Sequence, residues 1–484
     1  MKLEACYPEK VFYYFEEISR IPRGSGNVTE ISNYCVEFAK QRNLWVEQDP
    51  WKNVWIKKPG SRGCENCEPV MIQGHLDMVC EKTAESLHDF EKDPLELYVE
   101  DGFVKAKDTT LGADDGIAVA YALAILDSDD LVHPPLHVIL TTDEETGMDG
   151  AIGFDFARVD GRKMLNLDSE DEGIITVGCA GGATVQMSLN ISREEKQGTG
   201  LTLFLTGLKS GHSGVEIINQ PGNADKLMGR FLNGLQRKEF LFDLVDLKGG
   251  QKNNVIPGTC EAILLAYPES ADRIIGEWIA YEKTLKKEFG ASEPNLKLTH
   301  EKREDLQEKI LAQHAKEAVI FYLNNCPNGI YEYSRTLEQM VETSCNLGIV
   351  NTTEDAVLFE TLIRSSFASK VEEMKERFVQ WEDLIPGMHA KISGEYPSWE
   401  YQPDSELQKT IRNCYHTLYG KDPQFLTIHA GLECGIFAGK KEEFDCVSFG
   451  PQIYDIHSVK ERLDIESTGR TWKLILKILE ALTV

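Results

Sequence analysis

The residues best suited to chemistry stand where apolar runs of the sequence end. Residues 70–79 read Val-Met-Ile-Gln-Gly-His-Leu-Asp-Met-Val, and this run gives way to His75 and Asp77. A buried strand with this pattern would carry an imidazole and a carboxylate at its carboxyl end. Such a pair can hold a metal ion, but a strand-end histidine bound by neighbouring backbone would give the same pattern. Taken alone, the motif leaves both interpretations open.

Two more predicted strands run into carboxylates. Residues 136–142 are followed by Asp143, Glu144 and Glu145, and residues 163–167 are followed by Asp168. Adjacent carboxylates at the end of a buried strand repel one another unless water or a cation neutralises them. A solvated acidic turn and a metal site therefore both remain compatible with the segment that begins at Asp143.

A helix start and a loop near the end of the chain supply further candidates. Asp114 and Asp115 precede a run from Ile117 that is apolar on every side and predicts a buried helix. An aspartate there can act as N-cap without any metal, so one of the two can cap while the other coordinates. His457 lies in a loop before the amphipathic final helix. Because loops converge outside the carboxyl ends of strands in open α/β sheets, the recurrence of such residues favours one shared site.

The predicted metal-binding set comprises His75, Asp114, Glu145, Asp168 and His457. Two imidazoles with three carboxylates suit zinc, and also manganese or cobalt, better than calcium or magnesium. Two divalent ions would leave one positive charge, which a hydroxide neutralises, whereas one ion would leave the site anionic. Two ions about 3.5 to 4 Å apart polarise a carbonyl and lower the pKa of a shared water, so the set predicts hydrolysis of an amide.

Length and composition predict two domains of α/β class. The chain has 484 residues, of which 42% are hydrophobic and 27% charged, and this exceeds what one core usually supports. Residues 1–183 and 397–484 are predicted to form one discontinuous domain, with a central mixed sheet flanked by helices. Residues 184–396 mix alternating strands with charged helices and predict an inserted α+β domain.

The charge argues against nucleic acid and membranes as partners. Lys and Arg number 51 against 79 Asp and Glu, a net charge of −28 that repels phosphates and anionic lipids. The start of the sequence lacks an apolar segment typical of export, which predicts a cytoplasmic protein with its 12 cysteines reduced. Cys64 and Cys67 have no second pair at zinc-ribbon spacing and are interpreted as part of a surface loop.

Two further segments are predicted to have local structure but no role in the chemistry. Residues 20–26 are rich in Gly and Ser and contain a Pro, which predicts a loop between two helices to which we assign no chemistry. Residues 292–317 are highly charged and predict a solvated helical hairpin.

The motifs around these residues closely resemble those of the bacterial aminoacyl-histidine dipeptidases. These Xaa-His dipeptidases, also called peptidase D, belong to a di-zinc peptidase group with carnosinases and peptidase T. The resemblance covers nearly the whole chain and rests on the motifs Gly-His-Leu-Asp-Met-Val, Thr-Leu-Gly-Ala-Asp-Asp-Gly-Ile, Thr-Asp-Glu-Glu-Thr-Gly-Met-Asp-Gly, Asn-Leu-Asp-Ser-Glu, Gly-His-Ser-Gly and His-Ala-Gly-Leu-Glu-Cys-Gly. It implies a zinc-peptidase-like catalytic domain with an inserted lid.

The resemblance also implies a division of roles among the metal-binding residues. Asp114 would bridge two divalent ions, most simply zinc, with cobalt or manganese as substitutes. His75 and Asp168 would complete the coordination of one ion, and Glu145 and His457 that of the other.

Three residues receive catalytic roles by the same resemblance. Glu144 would be the general base that takes a proton from a metal-bridging water and returns it to the leaving amine. Asp77 would orient His75 and fix its tautomer. His212 would bind the developing oxyanion from the lid, although an ordinary turn histidine would also suit its motif.

Four positions resemble substrate-binding residues: Asn254, Arg364, Gly431 and Glu433. The planar fork of Arg364 suits the C-terminal carboxylate of a dipeptide, because it can bind both oxygens. Equally, Asn254 could be a turn former and Arg364 half of a salt bridge. Gly431 and Glu433 belong to a glycine-containing loop that would approach the substrate near His457.

The implied activity is hydrolysis of unblocked Xaa-His dipeptides, carnosine-like substrates included. A deacylase or tripeptidase on the same scaffold is the alternative within the enzymes. A non-catalytic peptide-binding or metal-binding protein would not need Glu144 beside a full ligand set, and an acidic metal-storage or scaffold protein would explain the charge but not the ligands at strand ends. Small peptides are the expected partners, and the sequence is compatible with a monomer or a homodimer.

Overall fold

A computed structural model describes residues 2–337 and 340–483 of the chain, and these residues form two compact units. The first unit contains the described residues up to Cys179, then Trp399–Thr427 and those from Leu432 onward. The second unit contains Ala180–Ser398 and Ile428–Gly431. Both termini of the described chain therefore belong to the first unit.

The first unit is built around an eight-stranded mixed sheet. In spatial order its strands are Trp45–Gln48, Val54–Lys58, Leu136–Thr141, Val70–His75, Lys163–Asn166, Asp445–Ser448, Ile174–Cys179 and Gln424–Ile428. Four neighbouring strands at its centre, from Leu136–Thr141 to Asp445–Ser448, pair in parallel. This mixture of parallel and antiparallel pairing fits the predicted α/β class.

The central parallel strands are buried on both faces, as is usual where helices cover both sides of a sheet. Every residue of Val70–His75 and of Leu136–Thr141 is buried. The register places His75 level with Thr141, and Gln73 level with Asn166. The residues that follow these strands therefore emerge at the same edge of the sheet.

Helices flank this sheet, and one of them is buried along its whole length. The helices are Glu9–Ile18, Thr29–Gln41, Ala113–Leu126, Glu144–Gly147, Asp149–Gly153, Glu406–Tyr419, Glu433–Ala438 and Ile465–Ala481, with a short 3-10 helix at Phe156–Arg158. All residues of Ala113–Leu126 are buried, as predicted for the run from Ile117 that is apolar on every side.

A small antiparallel sheet lies within the same unit. Its strands, in spatial order, are Ile453–Tyr454, Arg462–Asp464, Phe103–Ala106 and Leu97–Glu100. His457 stands in the loop between the first two of these strands. This pairing ties the C-terminal loop to the segment that precedes Ala113–Leu126.

The second unit contains a nine-stranded antiparallel sheet with its own core. Its path is Lys297–Leu311, Arg193–Thr206, Cys260–Ala266, Phe242–Gly249, Val341–Thr352, Ala356–Ser365, Gly181–Asn190 and Met388–Tyr396, with Gly329–Tyr333 paired to Val341–Thr352. The helices are Ala224–Arg237, Pro268–Phe289, Gln313–Asn325 and Ala368–Leu384, with 3-10 turns at Glu216–Asn219 and Gly290–Ser292. This layout is the α+β architecture that the sequence predicts.

The predicted helical hairpin at residues 292–317 is wrong. Most of the segment is the strand Lys297–Leu311, which pairs along nearly its whole length with Arg193–Thr206 at the edge of the sheet. Its central residues are mostly exposed and charged, so its composition resembles that of a solvated helix. Charged side chains on an edge strand also discourage pairing with other chains, which explains why a strand carries them.

Two further expectations concern membranes and thiols. No helix among the described residues is long and apolar enough to cross a bilayer. All twelve cysteines lie within the described residues, and all are free thiols.

Candidate active site

His75 stands at the centre of the candidate site. Its imidazole is buried, and Nε2 lies 3.1 Å from Oδ1 of Asp114 and 3.7 Å from Oδ1 of Asp168. On the other side of the ring, Nδ1 lies 3.1 Å from the backbone oxygen of Asp77 and 3.4 Å from its Oδ1. Burial alone would lower the pKa of His75, but Asp168, Asp114 and Asp77 outweigh it and raise the pKa well above its ordinary value.

The C-terminal loop brings His457 to the other side of Asp114. Nε2 of His457 lies 3.2 Å from Oδ2 of Asp114 and 3.1 Å from the carboxylate of Glu145. These two acids raise the pKa of His457 to about 10. The two oxygens of Asp114 thus face one histidine each, an arrangement that suits a carboxylate between two cations.

The five residues predicted to bind metal are therefore gathered in one cluster of the first unit. Two groups have ligand atoms within 4.8 Å of one another: His75, Asp114 and Glu145 form one, and His75, Asp115 and Asp168 form the other. Asp115 is predicted at the start of the helix but does not belong to the predicted metal-binding set. Its Oδ2 accepts a hydrogen bond from the backbone N–H of His75, and a Cβ on Gly74 would collide with this carboxylate.

Asp77 links several parts of the site. Its carboxylate accepts hydrogen bonds from Ser25 Oγ at 2.8 Å and from the backbone N–H groups of Glu144 and Glu145 at 3.1 and 3.3 Å. Burial would raise its pKa, but His75 and these donors lower it to about 2. Asp77 therefore carries a fixed negative charge at the start of the turn that holds both glutamates.

Glu144 and Glu145 are adjacent but have different surroundings. Glu145 faces His457, whereas burial raises the pKa of Glu144 to about 8, with Glu433 among the acids that add to the shift and His75 opposing it. Burial also raises the pKa of Asp168 and of Asp115. Because several buried carboxylates here are costly to ionise together, a donor set of this kind fits divalent cations, which would favour the ionised forms.

Glu433 lies beneath this cluster rather than at an open surface. Its side chain is 1% exposed, and Oε2 accepts hydrogen bonds from the Thr141 hydroxyl at 2.7 Å and from the Gln73 amide at 2.5 Å. Burial raises its pKa to about 7. Glu433 therefore binds one side chain from each of two neighbouring central strands, Val70–His75 and Leu136–Thr141.

A second group of predicted residues lies in the second unit. Nε2 of His212 is 3.4 Å from an Arg364 Nη2, and Arg364 donates a hydrogen bond to the Tyr396 hydroxyl at 2.7 Å. The backbone N–H groups of Gly214 and Val215 donate to His212 Nδ1. Burial and then Arg364 lower the pKa of His212, so this imidazole is neutral.

The remaining predicted residues are less informative. Asn254 accepts a hydrogen bond from the Ser213 N–H through its backbone oxygen, and Gly431 lies in an irregular segment before the helix Glu433–Ala438. His429 was not assigned a role, yet its Nε2 lies 2.8 Å from the Ser344 hydroxyl. Burial, together with Arg364 and His212, lowers the pKa of His429 to about 3.

Comparison with known proteins identifies the family. Residues 71–481 match the peptidase family M20/M25/M40. The chain belongs to this family. The match spans every predicted ligand of the candidate metal centre.

Three known proteins match over almost the whole chain. The cytosol non-specific dipeptidase of Escherichia coli (strain K12) is 38% identical over 99% of both chains. The crystal structure of the aminoacylhistidine dipeptidase from Vibrio alginolyticus is 37% identical, with a TM-score of 0.91 over 99% of this chain and 98% of that one. The aminopeptidase PepT of Bacillus cereus, at 15% identity and a TM-score of 0.59 over 99% of this chain and 100% of that one, shares the fold.

These comparisons confirm the predicted fold class and enzyme class. The fold is that of the M20 peptidases, and the chain is a hydrolase of the metallo-dipeptidase type. The described residues include candidate metal ligands for such an enzyme.

Two residues that the sequence did not assign to the site contact its backbone: Asp115 binds His75, and Arg23 binds Asp77. Asp115 is adjacent to a predicted ligand in Gly-Ala-Asp-Asp-Gly, so the doubled acid was a usable signal. Arg23 gave no such signal, because it lies in the Gly-rich loop of residues 20–26, yet its side chain is only 2% exposed.

Proposed function

We propose that this peptidase hydrolyses unblocked Xaa-His dipeptides, carnosine-like dipeptides included. The observation that carries the proposal is the position of a partly buried Glu144 beside the cluster of imidazoles and carboxylates around His75 and His457. The full-length match to an aminoacylhistidine dipeptidase supports the substrate class. The E. coli relative is described as cytosolic and non-specific, so a cytoplasmic location and a wider dipeptide range are part of the proposal.

We assign the metal centre to two divalent ions, with zinc favoured by its mixed ligands. Asp114 would bridge them, His75 and Asp168 would hold one, and Glu145 and His457 would hold the other. When bound, the ions would polarise the scissile carbonyl and make water more acidic at neutral pH. The close approach of both Asp114 oxygens to histidines supports this division.

Glu144 would act as the general base. It would take a proton from the attacking water and then donate it to the nitrogen of the leaving amine, so the carboxylate returns to its starting state. Its raised pKa supports this role, because such a carboxylate holds a proton more readily in the second half of the reaction.

Asp77 would keep His75 in the orientation and tautomer that bind metal. Its contacts with His75 Nδ1 and with the N–H groups of Glu144 and Glu145 support this role, because one carboxylate constrains both a ligand and the base.

The second unit would bind the substrate through Arg364, Asn254 and Gly431, and His212 would donate a hydrogen bond to the developing oxyanion. The buried guanidinium of Arg364 supports carboxylate recognition, because its Nε has no hydrogen-bond partner among the described residues. Glu433 would support the pocket from below through its bonds to Gln73 and Thr141.

A substrate panel after metal exchange tests the proposal. Protein stripped by a chelator should be inactive, and addition of Zn²⁺ or Co²⁺ should restore hydrolysis of Xaa-His dipeptides. The panel should include other dipeptides, Xaa-His amides, tripeptides and N-acyl amino acids. Blocking the C-terminal carboxylate should sharply lower kcat/KM, whereas faster turnover of tripeptides or N-acyl amino acids would reject the dipeptidase assignment in favour of the alternative activities.

A further inference from the structure

Glu461 occupies a cradle of backbone N–H groups beside the proposed metal centre. Its Oε2 accepts hydrogen bonds from the N–H groups of Leu111 and Gly112 at 2.7 and 2.9 Å. Its Oε1 accepts from Ala113 at 2.8 Å and, at the longer distance of 3.4 Å, from Asp114. The side chain is 3% exposed. The carboxylate, rather than water, therefore accepts the hydrogen bonds of the backbone N–H groups in the loop that leads into Asp114.

Arg23 binds the same loop as a hydrogen-bond donor, whereas Glu461 binds it as an acceptor. Its Nη1 donates to the backbone oxygens of Leu76 and Asp77 at 3.0 and 3.1 Å, and its Nη2 donates to the backbone oxygen of Gly112. One planar guanidinium therefore joins the loop after strand Val70–His75 to the loop before Asp114. The forked shape of the guanidinium allows this contact, because its two terminal nitrogens can bind both loops at the same time.

The guanidinium of Arg23 occupies space that is free because two neighbouring residues are glycines without a Cβ. A Cβ on Gly112 would lie 2.6 Å from Arg23 Nη2, and a Cβ on Gly116 would collide with the same nitrogen. Gly112 also has a φ of +65°, a conformation that other residues adopt at a cost. The loop around Asp114 is thus shaped to receive Arg23.

Glu461 is also tied to a proposed ligand along the chain. It follows His457 by four residues, and its N–H donates to the backbone oxygen of Ser458 at 3.1 Å. One short segment therefore carries both a side chain that faces Asp114 and the carboxylate that fixes the backbone of Asp114.

We propose that Arg23 and Glu461 are positioning residues of the metal centre, which together fix the loops that carry Asp77, Asp114 and His457. The inference rests on the proposed metallopeptidase function, and it assigns both residues an effect on metal affinity. Residues that orient the ligands of a metal commonly change its affinity by about 10- to 100-fold when altered. An ordinary structural cap would stabilise the fold without that effect.

The test compares Glu461→Gln with the exposed control Glu466→Gln in the full-length protein. The variant keeps the side-chain shape, but its amide nitrogen cannot accept, so two of the backbone N–H groups lose their partner. We expect the Kd for Zn²⁺ and Co²⁺, measured by calorimetry on protein stripped of metal, to rise by about 10- to 100-fold in Glu461→Gln. The Kd of the control Glu466→Gln should not change. Amide hydrogen exchange should also increase at residues 111–114.

Arg23→Lys and Glu461→Asp provide second variants if Glu461→Gln does not fold. Each keeps its charge but cannot span the same backbone groups, so each should weaken metal binding as well. Equal Kd values in the folded variants and the control would overturn the proposal, even if their thermal stability fell. Wild-type protein that binds metal but leaves Xaa-His dipeptides intact would overturn the proposed function alone, whereas wild-type protein that binds neither Zn²⁺ nor Co²⁺ would overturn both.

Discussion

At the scale of single residues, the site depends on giving neighbouring carboxylates different environments. Glu145 lies against His457, and Asp77 accepts three hydrogen bonds with a pKa lowered to about 2. Desolvation by the surrounding protein raises the pKa of the partly buried Glu144 to about 8. Residue type alone does not separate these acids. Their surroundings separate them, because burial raises the pKa of a carboxyl group whereas hydrogen-bond donors lower it.

Replacement of Glu144 by Gln should remove the proposed base while keeping the shape of the side chain. We expect kcat to fall by about 10²- to 10⁴-fold, the usual contribution of general acid–base catalysis, with unchanged metal content. Steady-state kinetics and metal analysis of the same sample would measure this. Glu85→Gln, at an exposed position, serves as control, and a Glu144→Gln enzyme with normal kcat would refute the base assignment.

A second buried acid, Asp225, lies in the second unit outside the proposed chemistry. It is 1% exposed, and burial raises its pKa from 3.8 to about 8, with the Cys260 thiol opposing the shift only in part. A Cβ on Gly249 would collide with its carboxylate. The folded protein therefore holds this carboxyl protonated at neutral pH.

This burial predicts a pH dependence of stability. Between pH 3.8 and about 8 the unfolded chain releases the Asp225 proton and the folded chain keeps it, so its contribution to stability decreases as pH rises. The decrease approaches about 1.4 kcal/mol per pH unit within that window. Asp225→Asn should therefore be more stable than wild type at pH 7.5, with the difference shrinking toward pH 5.

Thermal unfolding of both proteins from pH 5 to 7.5 would measure this difference. Asp272→Asn is the matched control, because the Asp272 side chain is 76% exposed. A stability difference between Asp225→Asn and wild type that stayed constant with pH would contradict the prediction.

At the scale of elements, the helix Ala113–Leu126 connects the core to the chemistry. All its residues are buried, and its first residues, Asp114 and Asp115, depart from helical dihedral angles. The apolar remainder packs into the core of the first unit, so it anchors the acids that face His75. An amphipathic helix would not supply this anchor, because one of its faces would remain in water.

Truncation within this helix should therefore be costly. Leu123→Ala removes a fully buried side chain and should lower the free energy of unfolding by about 2 to 5 kcal/mol. Leu87→Ala, at a side chain that is 96% exposed, should change it by less than about 0.5 kcal/mol. Denaturant unfolding of the two variants, side by side, would measure the contrast, and equal losses would rule out the anchoring role.

At the scale of the whole molecule, the two units should respond differently to metal. Every proposed ligand belongs to the first unit, and the second unit has its own core. A metal that binds only the folded form stabilises it by about 2.7 kcal/mol at 100 times its Kd. Metal removal should therefore destabilise the first unit specifically.

Differential scanning calorimetry with and without a chelator would test this expectation. The transition of the first unit, identified by its shift in Leu123→Ala, should move to lower temperature when metal is removed. The transition that shifts in Asp225→Asn should stay in place. A chelator that moved both transitions equally would contradict a metal centre confined to one unit.

Patterns along the sequence were sufficient for much of the molecule. Continuous apolar runs predicted the central strands, and the acids and histidines that follow them could be read directly, because parallel strands present their carboxyl ends at one edge. The strand Lys297–Leu311 was mistaken for helices because its exposed, charged residues carry no period that reveals pairing. The distinction required its partner strand, Arg193–Thr206.

The sequence by itself determined which residue types stand at strand ends, and hence the kind of chemistry. Only the tertiary structure decided which of them meet. Asp114 and His457 are 343 positions apart, and the roles inferred for Arg23 and Glu461 depend on backbone groups from distant loops. The propensity of a segment for helix or strand depends on neighbours in the chain. A buried charge, in contrast, is stable only where folding brings hydrogen-bond donors or acceptors to it. No local sequence pattern shows which distant residues will supply these groups.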